Sequence, residues 1–335
     1  MRLSLDTAQL DFQHALARML KEAGTPSAVR AWARGEHGPG LRLWGRVADM
    51  GVFGLATPQA YGGSGTLPVE LAVAFTELGR HAAPGPYVET VAAAALLSRL
   101  AGRGETAPAD AWLPRVRTGA ARLTLTLPGG GPYALDADAC DAVLTVAPDA
   151  LRLVTGHGPV RPSLDPARRL ALPDGGGEVL AAGPAVREAA AYAADLAAFA
   201  VAAQSLGVGY ALLERTVAYV RQRTQFGSPV GAFQAVKHRL ADTLVGLEFA
   251  RPLLFGAAVA LATGARSAPA EVAAAKATAC DVAYAAARTA LQLHGALGYT
   301  AEYDLSLWLG KARALRSAWG TPTECRARAM GLFFE

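Results

Sequence analysis

The chain has 335 residues, 52% of them hydrophobic and 18% charged, which calls for two or three compact units and excludes a disordered protein. Its net charge of +4 comes from 32 Lys+Arg against 28 Asp+Glu spread without a basic block, so nucleic-acid binding is not expected. The three cysteines, Cys140, Cys280 and Cys325, are odd in number and far apart; they offer no CxxC site for zinc or redox work and fit a reducing cytoplasm.

The N-terminal MRLSLDTAQLDFQ has no apolar stretch of signal-peptide length before its charges. Asp6 or Thr7 can cap a helix carrying Phe12, Leu16 and Leu20, which Gly24 and Pro26 should end. A second helix is expected from about Leu41 into VADMGVFGL, then a glycine-rich turn at PQAYGGSG. Helical VELAVAFTELGRHAA follows and, after PGP, helical TVAAAALLSRL. Composition changes near Ala121: RLTLTLP, AVLTVAP and ALRLV read as three short strands, and VRPSLDPARRLALPDGG as a loop with an edge strand.

From Pro184 the chain is helical again. Leu196 to Leu213 has the length of a membrane span, but Asp195 and Glu214 bracket it and its bulk is Ala and Gly, so a helix buried among helices, continuing to Arg223, is expected instead. A second long helix carries Phe233, Val236, Leu240, Leu244 and Leu247 as one core-facing stripe. A third carries Val272, Ala279, Ala286, Ala290 and Leu293, small enough for close helix packing. The expected order is a helical domain (1–121), a reduced β domain (122–183) and a C-terminal helical bundle (184–335), a mostly α architecture.

Three segments, GVFGLATPQAYGGSG with FTELGR, RQRTQFGSPVGAFQAVKHRLAD, and LQLHGALGYTAEYDL, occur in an order and at spacings that resemble the acyl-CoA dehydrogenase family. The resemblance runs from about Leu43 to the C-terminus. It implies that family's fold, with a C-terminal four-helix bundle, and an FAD at a subunit interface. Arg223, Gln225 and Phe226 of RTQFG, with Gln292 and Gly295 of QLHGALG, match positions that reach across to the ADP half of a neighbour's FAD. A guanidinium, an aromatic ring and a glycine turn suit diphosphate and adenine. Taken without the resemblance, Arg223 reads as a solvated helix-end charge and Phe226 as core.

The family's reaction removes a proton α to a thioester carbonyl and needs a carboxylate base. The position matching that glutamate is Trp319, in Ala318-Trp319-Gly320-Thr321, and the alternative position used by a minority of members matches Ala197. Glu324 reads as part of a capping box with Thr321 and Pro322, and Asp195 points away from the Ala197 position. Where the family has a TEPxAGSD-like loop supporting the flavin, this chain has TLPGGG, and Ala296 replaces a second glycine of the turn.

The resemblance therefore implies a heterotetramer. In it this chain is a non-catalytic subunit, inactive alone, paired with a longer catalytic acyl-CoA dehydrogenase subunit that holds most of the acyl-CoA, as in bacterial sterol side-chain breakdown. The alternatives are a self-sufficient or repurposed flavin oxidoreductase, and a flavin-free scaffold or acyl-carrier binding protein.

Overall fold

A computed structural model describes residues 4–334; the first three residues of the N-terminal reading and Glu335 lie outside it. Six helices open the chain: α1 (Thr7–Glu22), α2 (Thr25–Ala33), α3 (Gly38–Asp49), α4 (Pro68–Arg80), α5 (Tyr87–Ala101) and α6 (Ala107–Arg117). Asp6 caps α1 in a reciprocal box with Gln9. Pro26 does not end α1 but sits in the first turn of α2, where its missing N–H costs nothing. That misreading hid α2, and α6 was not foreseen either. The PQAYGGSG turn is a short 3₁₀ coil, Gln59–Tyr61, closed by Gly62 at φ +77°.

The central unit has six strands rather than the three and an edge expected. These are β1 (Leu123–Thr126), β2 (Ala134–Leu135), β3 (Ala142–Val146), β4 (Ala150–Val154), β5 (Leu170–Ala171) and β6 (Glu178–Ala182). The main sheet has the order β1-β3-β4-β6, with β1 and β3 parallel and the other pairs antiparallel. The edge strand expected within VRPSLDPARRLALPDGG is β5, which joins β2 in a separate ladder instead. Helix α5 holds the sheet directly: the Thr90 hydroxyl donates to the Leu123 carbonyl at 2.7 Å and accepts from the Leu123 N–H at 3.2 Å.

Helix α7 (Pro184–Gln222) follows, then a hairpin of β7 (Thr224–Gln225) and β8 (Ser228–Pro229), α8 (Gln234–Thr263), α9 (Ala268–His294), α10 (Leu305–Ser317) and α11 (Pro322–Phe334). Helix α9 packs against α7, α8, α10 and α11, and α7 also meets α4 and α5. The Leu196–Leu213 stretch is buried on nearly every side, as its all-round apolar composition requires. Two glycines permit its crossing with α4: a Cβ at Gly79 would run into the Gln204 carbonyl, and one at Gly207 into the Thr76 carbonyl.

The stripe expected on α8 behaves differently. Of its residues Leu247 is buried, Val236 and Leu240 are half-buried, and Phe233 and Leu244 are exposed; Val245, Phe249 and Leu253 beside them are exposed as well. The stripe's spacing is helical, yet only the face turned to α4, α7 and α9 meets the core.

Behind α10, the buried Lys311 ammonium pairs with the buried Asp165 carboxylate at 3.0 Å, fastening the loop before β5 to the bundle. A further buried carboxyl, Asp136, bonds the Arg169 N–H through one oxygen, while the other has no partner. Burial pushes its pKa up to about 7.

Candidate functional site

Two separate places carry the residues singled out by sequence. The first begins where α7 ends. Arg223 leaves the helix with extended backbone, and its carbonyl accepts from the Val230 N–H at 2.7 Å, closing the β7–β8 hairpin. The two turn residues, Phe226 and Gly227, sit at φ +53° and +77°, the left-handed pair that tight hairpins prefer. A phenylalanine there is strained. Its ring is 94% exposed and meets Phe233 edge-on, 6.4 Å between centroids, which excludes the reading of Phe226 as core. Arg223 and Gln225 are exposed beside it.

Gln292 and Gly295 lie at the end of α9. They line a cavity of about 590 Å³ together with Arg239, Arg288, Thr289 and Tyr299. The Tyr219 ring of α7 stacks on the His294 ring of α9 at 4.1 Å, so the end of α7 and the glycine turn are joined by one aromatic contact. Burial pushes the His294 pKa below the usual imidazole value, so the stacked ring is neutral at neutral pH. The expected glycine turn is itself a 3₁₀ coil, Gly295–Tyr299, entered through Gly295 at φ +62°.

Sequence reasoning missed both Arg239 and Arg288. Arg288 precedes Gln292 by four residues, a same-face spacing that could have found it. Arg239 comes from α8, and no local pattern points to it. Two guanidinium groups, an amide and a backbone turn around one cavity suit an oxygen-rich anion such as a diphosphate. The residues present thus fit the ADP half of FAD.

The second place surrounds Trp319. Its backbone sits at φ +56° and that of Gly320 at +102°. The fully buried Lys276 ammonium donates to the Arg316 and Gly320 carbonyls and clamps this turn to α9. The indole Nε1 donates to Glu89 Oε1 at 3.2 Å, and the ring lies where a Cβ on Gly130 would stand 3.0 Å away. The GGG loop therefore makes room for the indole.

Trp319 lines a cavity of about 250 Å³ with Glu89, Gly130 and Arg168, and another of about 380 Å³ with Ala194, Ala198, Cys325 and Arg328. Ala197 is buried on α7 between Ala194 and Ala198. Asp195 turns to Arg328, 2.6 Å away. The Glu324 carboxylate accepts from the Thr321 N–H at 2.7 Å and from the Thr321 hydroxyl at 2.8 Å, bonds that hold its pKa below the usual range, and the Thr321 hydroxyl in turn accepts from the Glu324 N–H at 3.3 Å. Trp319 thus shares a cavity with Ala194 and Ala198, the residues that flank Ala197 on α7, apart from the hairpin and the glycine turn.

The chain matches the acyl-CoA dehydrogenase N-terminal domain over residues 6–120 and the acyl-CoA dehydrogenase C-terminal domain over residues 185–328. It is 31% identical over 320 residues to acyl-CoA dehydrogenase IpdE2 of Mycobacterium tuberculosis, covering 94% of each chain. Among solved structures it superposes on a variant of the Tcur3481-Tcur3483 steroid ACAD with a TM-score of 0.85, at 25% identity and 98% coverage of both chains. It superposes on the ChsE4-ChsE5 complex of Mycobacterium tuberculosis with a TM-score of 0.80, at 23% identity, covering 100% of this chain and 99% of that one. The architecture and the paired domain matches place this chain in the acyl-CoA dehydrogenase family.

Proposed function

We propose that the chain is the non-catalytic subunit of a cytoplasmic heterotetramer that performs flavin-dependent α,β-dehydrogenation of an acyl-CoA thioester. FAD, when bound, supplies the acceptor for the hydride leaving the β carbon. This chain lends Arg223, Gln225, Phe226, Gln292 and Gly295 to the ADP half of that FAD. A longer catalytic acyl-CoA dehydrogenase chain supplies the base and holds most of the substrate.

One contrast carries the reading: the ADP-side residues stand on an exposed hairpin and a cationic cavity, while both base positions are occupied by groups that accept no proton. Arg223 would pair with phosphate oxygens, and Phe226 would lie against adenine once a neighbouring subunit covers it. The exposed Leu244, Val245, Phe249 and Leu253 give α8 an apolar face for a partner helix. The steroid ACAD and the ChsE4-ChsE5 complex among the structural relatives support a steroid-type acyl group and a two-chain assembly.

The test is flavin absorbance of the chain purified alone and after co-expression with an acyl-CoA dehydrogenase chain that retains its glutamate. FAD only on co-expression is the expected result. Stoichiometric FAD on the chain alone would instead favour a self-sufficient flavin enzyme, and none in either preparation a scaffold.

A further inference from the structure

We propose that the cavity between α5, the loop before β5 and the Trp319 turn is a binding site for a small neutral ring carrying an amide. Glu89, on α5, is only 3% exposed. Its Oε1 accepts the Trp319 indole N–H at 3.2 Å, but its Oε2 is buried without a partner. A buried acceptor left unmade is costly, so a carboxylate oxygen held this way marks a place where a donor fits. The guanidinium of Arg168 faces the same cavity and reaches only to 3.9 Å from Glu89 Oε1, beyond hydrogen-bonding distance. Its donors are therefore available on the same wall as an unused acceptor.

The remaining walls set the class of ligand. Leu125, Leu135, Leu164 and Leu170 contribute the apolar part, and Tyr133, Ser163 and Ser317 add hydroxyl-bearing side chains. The volume is about 250 Å³. A dry cavity of roughly 150 Å³ takes a benzene ring, so this one has room for one ring with a short substituent.

An amide presents an N–H to Glu89 Oε2 and a carbonyl to Arg168 from adjacent atoms. A free carboxylate on the ligand would be repelled by Glu89, and an ammonium by Arg168. The site is distinct from the α8–α9 cavity and stands whether or not flavin is shared there.

The test is saturation-transfer NMR of the full-length chain with benzamide as probe, run on the complex if the chain is recovered only with a partner. Benzamide should bind at about millimolar affinity, as expected for so few contact atoms. Glu89→Gln keeps the shape but turns the acceptor into a donor, and should weaken benzamide at least roughly tenfold. Arg168→Met, at a partly exposed loop position, should weaken it similarly and keeps the test open if Glu89→Gln fails to fold by circular dichroism. Ethylbenzene binding as well as benzamide would reduce the cavity to an apolar hole. Displacement of benzamide by riboflavin would make it an ordinary flavin platform, and no saturation transfer would leave a hydrated ion pair; each of these results overturns the proposal.

Discussion

The two ends of this bundle are built on opposite terms. Around Trp319 most polar groups are pinned inward: Lys276 onto two carbonyls, the indole onto Glu89, Lys311 onto Asp165. At the β7–β8 hairpin, Arg223, Gln225 and Phe226 are turned outward on a strained turn. Substitutions at the pinned end should therefore change stability, while substitutions at the hairpin should change binding and leave the fold alone. The difference separates residues that hold this chain together from residues it can offer to another.

The largest effect concerns chemistry. A positioned general base contributes roughly 10² to 10⁴ in rate, so the chain alone should show negligible reduction of a synthetic electron acceptor with any acyl-CoA. Trp319→Glu should not restore turnover, because the TLPGGG loop still lacks the acid and hydroxyl of the family's flavin loop. Robust turnover by the isolated wild type would erase the contrast between the two ends.

Next in size is the pinned end's ion pair. Lys311→Met leaves Asp165 as an uncompensated buried charge, expected to cost about 3–5 kcal/mol. Urea midpoints of the variant and the wild type measure it, and an unchanged midpoint would mean that water reaches the site.

At the hairpin the expected change is smaller and of another kind. Arg223→Ala removes charge-assisted hydrogen bonds to the diphosphate, each worth about 1.5–3 kcal/mol. The co-purified complex should lose most of its flavin while remaining assembled. Arg221→Ala, two residues earlier at the end of α7, should keep it. The flavin-to-protein absorbance ratio, measured side by side, decides; equal ratios would make Arg223 an ordinary surface charge.

The gentlest test is a pH profile. The Asp136 carboxyl is raised by burial to about 7 in the fold, against about 3.9 in an unfolded chain. Between those values the folded chain holds a proton that the unfolded chain has released. Its favourable contribution is thus complete below about pH 4 and is lost as pH rises through 7, with a slope of at most about 1.4 kcal/mol per pH unit. Asp136→Asn should flatten that decline in thermal unfolding, and asparagine tolerates the left-handed backbone found there, at φ +51°. An unaltered slope would place the titration elsewhere.

How far these regions could be read from sequence follows from the range of the forces that build them. The periodic helices were legible: α1 with its Asp6 cap, the buried run of α7 and the small-residue face of α9 are local patterns. Helix α2 was lost because Pro26 serves equally as a stop or a start, and β6 because EVLAA, between a glycine run and Gly183, has no clean alternation. The hairpin residues were found only through the family resemblance of RTQFG; taken alone, that segment reads as a helix-end charge and a core ring. Arg239, Glu89 and Arg168 were not, because each reaches its site from an element distant in sequence. The α8 stripe was seen, but periodicity cannot say which of its residues lack a neighbour within the chain.

The order of the main sheet has a consequence for deletion. Its edge strands are β1, which receives the chain from α6, and β6, which passes it to α7. Three strand spacings set these strands about 14 Å apart across the sheet, and because β6 runs parallel to β1 the entry at Leu123 and the exit at Ala182 also lie at opposite ends of the strands, roughly 20 Å apart in all. The unit from Leu123 to Ala182 is therefore a spacer as well as an insertion. A chain with it excised would need a bridge of at least about six extended residues to join α6 to α7 without dragging the helical layers together.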